Sequence, residues 1–244
     1  MNKIALITGA NRGLGLEAAR QLAQDQGFTV ILGARDLTKG EAAAATLRQS
    51  GLDAHAVQLE VSQETSVGNA VREVEEKFGH LDVLINNAGI SPEYPAGQLS
   101  PSQLSAATIR QIYDTNFFGA LSVLQAFVPL LEKSHAPRVV NVSSEIGSLA
   151  NISNPQWFAY GVNTLAYSSS KAALNVLTVA FAKEFAGAKW KINSACPGWV
   201  KTELGTQDAP GEVEDGARIY VTLATLPPDG PTGQFFNGSG SMAW

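Results

Sequence analysis

The stretch over residues 3–15, K-I-A-L-I-T-G-A-N-R-G-L-G, constrains this chain more than any other. It opens on the apolar run Ile4, Ala5, Leu6 and Ile7, of the kind that fills a strand buried on both faces. Glycines follow at Gly9, Gly13 and Gly15, and apolar residues then fall at helical spacing: Leu14, Ala18, Leu22 and Ala23. A strand that turns through glycines into a helix aims the helix's free N–H groups and positive dipole end at a crevice, a ready site for a pyrophosphate. Glycine there lets backbone approach phosphate with no Cβ between them. A plain strand-to-helix turn fits the same pattern, so the rest of the chain decides.

Strand signals at 4–7, 28–32, 54–59, 81–85, 138–142, 191–195 and 234–236 alternate with helical ones. That predicts an α/β fold, a doubly wound parallel sheet of about seven strands with helices on both faces. Thr38 and Glu41 are spaced as a capping box for the second helix. Pro92, Pro95 and Pro101 mark a loop, followed by one long helix to about Leu131 and another from about 167 to 186. With no linker or repeat, residues 1–244 read as a single dinucleotide-binding and catalytic domain. Gly9, Arg35, Glu60, Asn87, Ser144 and Pro197 all fall just past strand C-termini, the edge where open parallel sheets bind ligands.

A net charge of −5 favours neither nucleic acid nor an anionic membrane surface. The single cysteine, Cys196, excludes an internal disulfide and a multi-thiolate metal site. His55, His80 and His135 show no ligand spacing, so no metal is expected. Thr8 and Gly9 cut the first apolar run too short for a signal peptide, and no apolar stretch approaches the roughly 20 residues of a membrane span. The expectation is a soluble cytoplasmic protein with neither nucleic acid nor membrane as partner.

An NAD site usually has an acid about 20 residues past the glycines, holding the ribose 2′-hydroxyl. This chain has Ala34 there, with Arg35 beside it. An arginine at that point can pair bidentately with a 2′-phosphate, and Arg12 inside the turn supplies a second positive charge. Two arginines without the acid point to NADPH/NADP+. Asp36 is better explained as a helix N-terminal residue.

The spacing of Thr8, Gly9, Gly13 and Gly15 resembles the T-G-x-x-x-G-x-G of the short-chain dehydrogenase/reductase family. Asn86-Asn87-Ala88-Gly89 matches its N-N-A-G, Tyr167-Ser168-Ser169-Ser170-Lys171 its Y-x-x-x-K, and Pro197-Gly198 falls where the family has it. Within that family the chain looks most like the NADPH-dependent carbonyl reductases, in segments such as Gly33-Ala34-Arg35-Asp36 and Thr115-Asn116-Phe117-Phe118-Gly119. The resemblance implies a Rossmann-type fold and reduction of a small-molecule ketone or aldehyde. It implies Tyr167 as proton donor, Lys171 favouring the phenolate and holding the nicotinamide ribose, Ser144 donating to the carbonyl oxygen, and Asn116 holding a relay water. It also implies cofactor contacts from Gly9, Asn11, Arg12, Gly13, Leu14, Gly15, Arg35, Glu60, Val61, Asn87, Val200 and Thr202. Glu60 stands where the family usually has Asp.

The helical spacing of Tyr167 and Lys171 alone also fits a core tyrosine beside a solvated lysine. Cys196, at a strand end with no histidine nearby in sequence, reads as a small core residue. Pro155, Trp157, Phe158 and Tyr160, between Ser144 and Tyr167, either wall a pocket for an apolar carbonyl compound or pin the loop to the core. Twenty-three positions separate Ser144 from Tyr167. In the family the long helices pair between subunits, and an enlarged loop here obstructs that pairing, so monomer and homo-oligomer both stay open. An NADP-dependent secondary-alcohol dehydrogenase and a non-catalytic NADP(H)-binding regulator are the alternative functions.

Overall fold

The central strands of this chain are buried on both faces, and they form a sheet covered on both sides. The computed structural model describes residues 2–93 and 100–244; Pro95 lies outside them. The chain runs β1 (Ile4–Thr8), α1 (Gly13–Gln26), β2 (Thr29–Ala34), α2 (Leu37–Gln49), β3 (Ala54–Gln58), α3 (Glu64–Phe78) and β4 (Val83–Asn86). After a loop come α4 (Ala106–Tyr113), a π-helical turn (Asp114–Gly119) and α5 (Ala120–Leu131), then β5 (Arg138–Val142) and the short α6 (Leu149–Ile152). The chain continues with α7 (Leu165–Glu184), β6 (Lys191–Ala195), α8 (Val213–Ala224), β7 (Phe235–Asn237) and β8 (Gly240–Met242).

The strands lie in the order β3-β2-β1-β4-β5-β6-β7-β8. Every pair is parallel except the terminal β7–β8 hairpin. All residues of β1, β2 and β5 are buried, as the apolar runs of β1 and β2 require; β5 also buries Arg138 and Asn141. One face packs Leu22, Leu47 and Tyr220 of α1, α2 and α8, and the other packs Val74, Phe127 and Leu177 of α3, α5 and α7. The direction of strand order reverses between β1 and β4. Their C-terminal ends open the crevice that holds the site.

Several expectations need correction. The seven expected parallel strands are present, and an eighth is added where Asn237–Gly240 closes a tight antiparallel hairpin onto β7. The three residues of β8 carry no apolar run that would announce a strand. Thr38 does not cap α2: Asp36 does, its carboxylate accepting from the Lys39 N–H at 3.3 Å, so the chain enters the helix two residues earlier. The long helix to Leu131 contains the π turn. The helical run from Ala106 to Leu131 is in fact long and apolar enough to cross a membrane by length and composition. Here Val123, Leu124, Phe127, Leu130 and Leu131 bury that apolar face in the core.

Candidate active site

The glycine turn is locked from the neighbouring strand. The Thr8 hydroxyl accepts from the N–H groups of Asn87 and Ala88, both at 2.9 Å, and the Asn87 amide donates to Thr8 O at 2.8 Å and Gly9 O at 3.3 Å. Gly9 (φ +64°) and Gly13 (φ +56°) hold left-handed conformations that favour glycine. A Cβ on Gly15 would stand 2.5 Å from Asn87 Nδ2, so the helix packs this closely only because it is absent. No side chain caps α1, whose first N–H groups therefore remain for an anion. This cradle fits the pyrophosphate of a dinucleotide.

Both arginines expected at a 2′-phosphate sit at the outer end of the crevice and are paired with glutamates. Arg35 (83% exposed) has Nε 3.6 Å from Glu60 Oε2, and Arg12 (69% exposed) forms an ion pair with Glu203. Glu60 also accepts from the Ser62 hydroxyl at 3.0 Å. Such exposed pairs hold weakly, so both guanidinium groups remain available to a phosphate.

The inner end is built differently. A polar ladder crosses the buried sheet: Asn86 Nδ2 donates to Asn141 Oδ1 at 2.9 Å, and Asn141 Nδ2 donates to Thr178 Oγ1 at 2.8 Å. Thr178 Oγ1 lies 2.8 Å from Ser194 Oγ, so α7 is fixed against β4, β5 and β6. On the same helix Lys171 is 3% exposed and donates from Nζ to Val142 O at 2.7 Å. Its Nζ lies 5.6 Å from the ring centroid of Tyr167. Burial lowers the ammonium to about 8. Burial also pushes the Tyr167 phenol well above its usual value, and the Ser144 hydroxyl beside it pulls the other way. The turn after Ser144 rests against α7 at Gly147, where a Cβ would come within 2.7 Å of Lys171 Cβ.

Fifteen of the expected residues line one cleft: Gly9, Asn11, Arg12, Gly13, Leu14, Gly15, Arg35, Glu60, Val61, Asn87, Ser144, Tyr167, Lys171, Val200 and Thr202. Asn116 stands behind its wall, in the π turn. Its amide donates to Ile90 O at 3.0 Å and Ser170 Oγ at 3.1 Å, and its carbonyl accepts from Ile90 N at 2.8 Å. A Cβ on Gly89 would stand 3.4 Å from Lys171 Nζ and 3.5 Å from Asn116 Oδ1, so both atoms face the same gap.

Of the loop aromatics, Trp157 and Phe158 line the cleft, with Phe158 81% exposed, while Pro155 and Tyr160 do not. Neither cleft-lining ring is buried, so they wall the opening rather than pin the loop. Burial raises the Cys196 thiol to about 12, leaving it protonated and unreactive at neutral pH. Sequence reasoning missed Tyr220 of α8. Its side chain is fully buried against the cleft and its hydroxyl has no hydrogen-bond partner among the described residues. It also missed Glu93, whose buried carboxylate accepts from the N–H groups at the start of α7.

The short chain dehydrogenase family pattern matches residues 3–212. Over 96% of its length the chain is 36% identical to the short-chain dehydrogenase/reductase ATR10 of Stachybotrys chlorohalonatus, covering 87% of that protein. It is 33% identical to the (+)-neomenthol dehydrogenase of Arabidopsis thaliana, with 96% of each chain covered. The NADPH-bound carbonyl reductase from chicken fatty liver superposes with a TM-score of 0.87 at 28% identity, over 100% of this chain and 99% of that one. The crevice is therefore that of an oxidoreductase acting on CH–OH and carbonyl groups, and the chain belongs to the short-chain dehydrogenase/reductase family.

Proposed function

We propose that this protein reduces a ketone or aldehyde with NADPH, Tyr167 donating the proton. The observation that carries the reading is the half-buried Tyr167 and buried Lys171 beside Ser144, in the same cleft as the glycine cradle and Arg35. NADPH held along that cleft supplies the hydride. The chain's own part is to bind, orient and protonate. The N-terminus of α1 holds the diphosphate, Arg35 and Arg12 exchange their glutamates for the 2′-phosphate, and the Val200 backbone and the Thr202 hydroxyl would meet the carboxamide and the diphosphate. The Ser144 hydroxyl donates to the substrate oxygen and Tyr167 transfers its proton to it. Lys171, charged below about pH 8, stabilises the phenolate that forms. Asn116, facing the same gap as Lys171 Nζ, holds the path by which the proton is replaced.

Burial raises the phenol, so the Ser144 hydroxyl and the Lys171 charge are needed to ease release of its proton to the substrate oxygen. Trp157, Phe158, Phe118 and Trp199 around the opening favour an apolar carbonyl compound. A regulator without turnover would not need Ser144, Tyr167 and Lys171 together. The test is consumption of NADPH and of NADH, followed by absorbance, with aromatic aldehydes, diketones and quinones. Turnover with NADPH, lost in Tyr167→Phe, supports the reading; tight NADPH binding without turnover of any carbonyl compound refutes it.

A further inference from the structure

We infer that Glu93 is a positioning residue for the reaction: reaching in from the loop after β4, it caps α7 and fixes Tyr167 in the helix's first turn. The inference rests on the reductase reading above. The residue flanking α7, Thr164, makes no side-chain cap; its hydroxyl lies 3.0 Å from Ser168 Oγ instead. The first backbone bond of the helix runs from Ser168 N to Thr164 O at 2.8 Å. The N–H groups before it need partners from outside the helix. Glu93 meets two of them, with Oε1 accepting from Ala166 N at 3.2 Å and Oε2 from Tyr167 N at 2.7 Å. These are the donors that a capping side chain ordinarily satisfies from the adjacent residue. Here the acceptor comes from 73 and 74 positions away.

Glu93 is 3% exposed. A carboxylate is taken out of water at great cost unless hydrogen bonds and a favourable field compensate it. Two charge-assisted bonds and the positive end of a 20-residue helix provide both. The strip leading to Glu93 is held at its other end, where Asn116 binds both the N–H and the carbonyl of Ile90. Residues 90–93 thus join the π turn to the start of α7.

Lys171 does not depend on this strip, because it lies one turn further in and is tied to Val142 O. Tyr167 lies in the turn that frays first, and a displacement of about 1 Å at a reacting group can lower a rate about 100-fold. Glu93 therefore acts on the proton donor while leaving the lysine and the cofactor cradle in place.

The test compares wild type, Glu93→Ala and Glu93→Gln as full chains. Rates are normalised to NADPH-binding sites titrated by fluorescence, and amide hydrogen exchange is followed along α7. In Glu93→Ala, kcat per site should fall about 10- to 100-fold while KM for NADPH moves less than about threefold. Glu93→Gln keeps the shape and one acceptor, so its kcat should fall between the two. The Ala166 and Tyr167 amides should exchange faster in Glu93→Ala, with residues beyond Lys171 unchanged. A kcat per site within about twofold of wild type, or a glutamine variant no better than alanine, overturns the inference.

If Glu93→Ala does not fold, Glu93→Gln decides alone: lower kcat at constant KM supports the role and unchanged kcat refutes it. If wild type reduces no carbonyl compound, the functional reading fails by itself. Exchange at Ala166 and Tyr167 then decides the cap, acceleration supporting it and no change refuting it.

Discussion

The two ends of the cleft treat charge in opposite ways. At the outer end Arg12 and Arg35 stand in water, each beside a glutamate that screens it. At the inner end Lys171 is buried against a backbone carbonyl, and no salt bridge among the described residues includes it. Water makes the outer pairs weak and exchangeable, which suits groups that change partners when a phosphate arrives. Removal from water makes the inner charge sensitive to pH and geometry, which suits groups that move a proton. In the proposed function one end recognises the cofactor and the other reacts.

The largest test of this contrast is Tyr167→Phe, which should lower kcat about 10²- to 10⁴-fold with NADPH affinity nearly intact, read from single-turnover rates and binding titrations. At the outer end Arg35→Ala should weaken NADPH about 10- to 100-fold, the worth of a charge-assisted hydrogen-bond pair, and leave NADH unchanged. Equal losses for both cofactors would break the division between the ends.

The third test is pH. Reductive kcat/KM should fall about tenfold per unit above about pH 8, as Lys171 loses its charge. Stability moves the other way. Between about 8 and 10.5 the unfolded lysine keeps a proton that the folded one has lost, so the lysine's contribution to stability rises with pH across that window. The difference in unfolding free energy between wild type and Lys171→Met should therefore shift toward wild type, measured by urea titration at each pH.

Smaller effects refine the comparison. Tyr220→Phe removes a buried hydroxyl that has no partner among the described residues and should stabilise the protein by about 1 kcal/mol in urea unfolding. Glu203→Gln should change stability by less than about 0.5 kcal/mol and tighten NADPH only a few-fold, since an exposed ion pair contributes little.

The contrast also explains what could be read in advance. The sequence signals place β1, β5 and β6 within a residue of their observed limits: β1 by its continuous apolar run, β5 and β6 by shorter apolar stretches interrupted by the buried Asn141, Asn193 and Ser194. The glycine turn is legible for the same local reason: its chemistry lies in consecutive residues. The inner end is assembled from distant ones. Nothing around Glu93 announces a helix start 72 positions later, and nothing in the spacing of Asp114–Gly119 reveals that one turn of the helix is widened. Tyr220 sits at ordinary helical spacing, so only its surroundings distinguish it from core. The glutamate partners of Arg12 and Arg35 follow from where loops meet in space.

The position of β1 inside the sheet has a consequence for synthesis. Its first neighbour β2 pairs Ala5 with Val30, but its second neighbour pairs Ala5 with Val83, 78 positions further along. At a translation rate of about 5–20 residues per second, that second edge stays open for about 4–16 s on the ribosome. The Asn87 clamp on the glycine turn arrives in the same delayed instalment. The nascent chain thus carries a half-built nucleotide cradle with an apolar strand edge exposed, and slowing elongation across residues 30–83 would lengthen its window for mispairing.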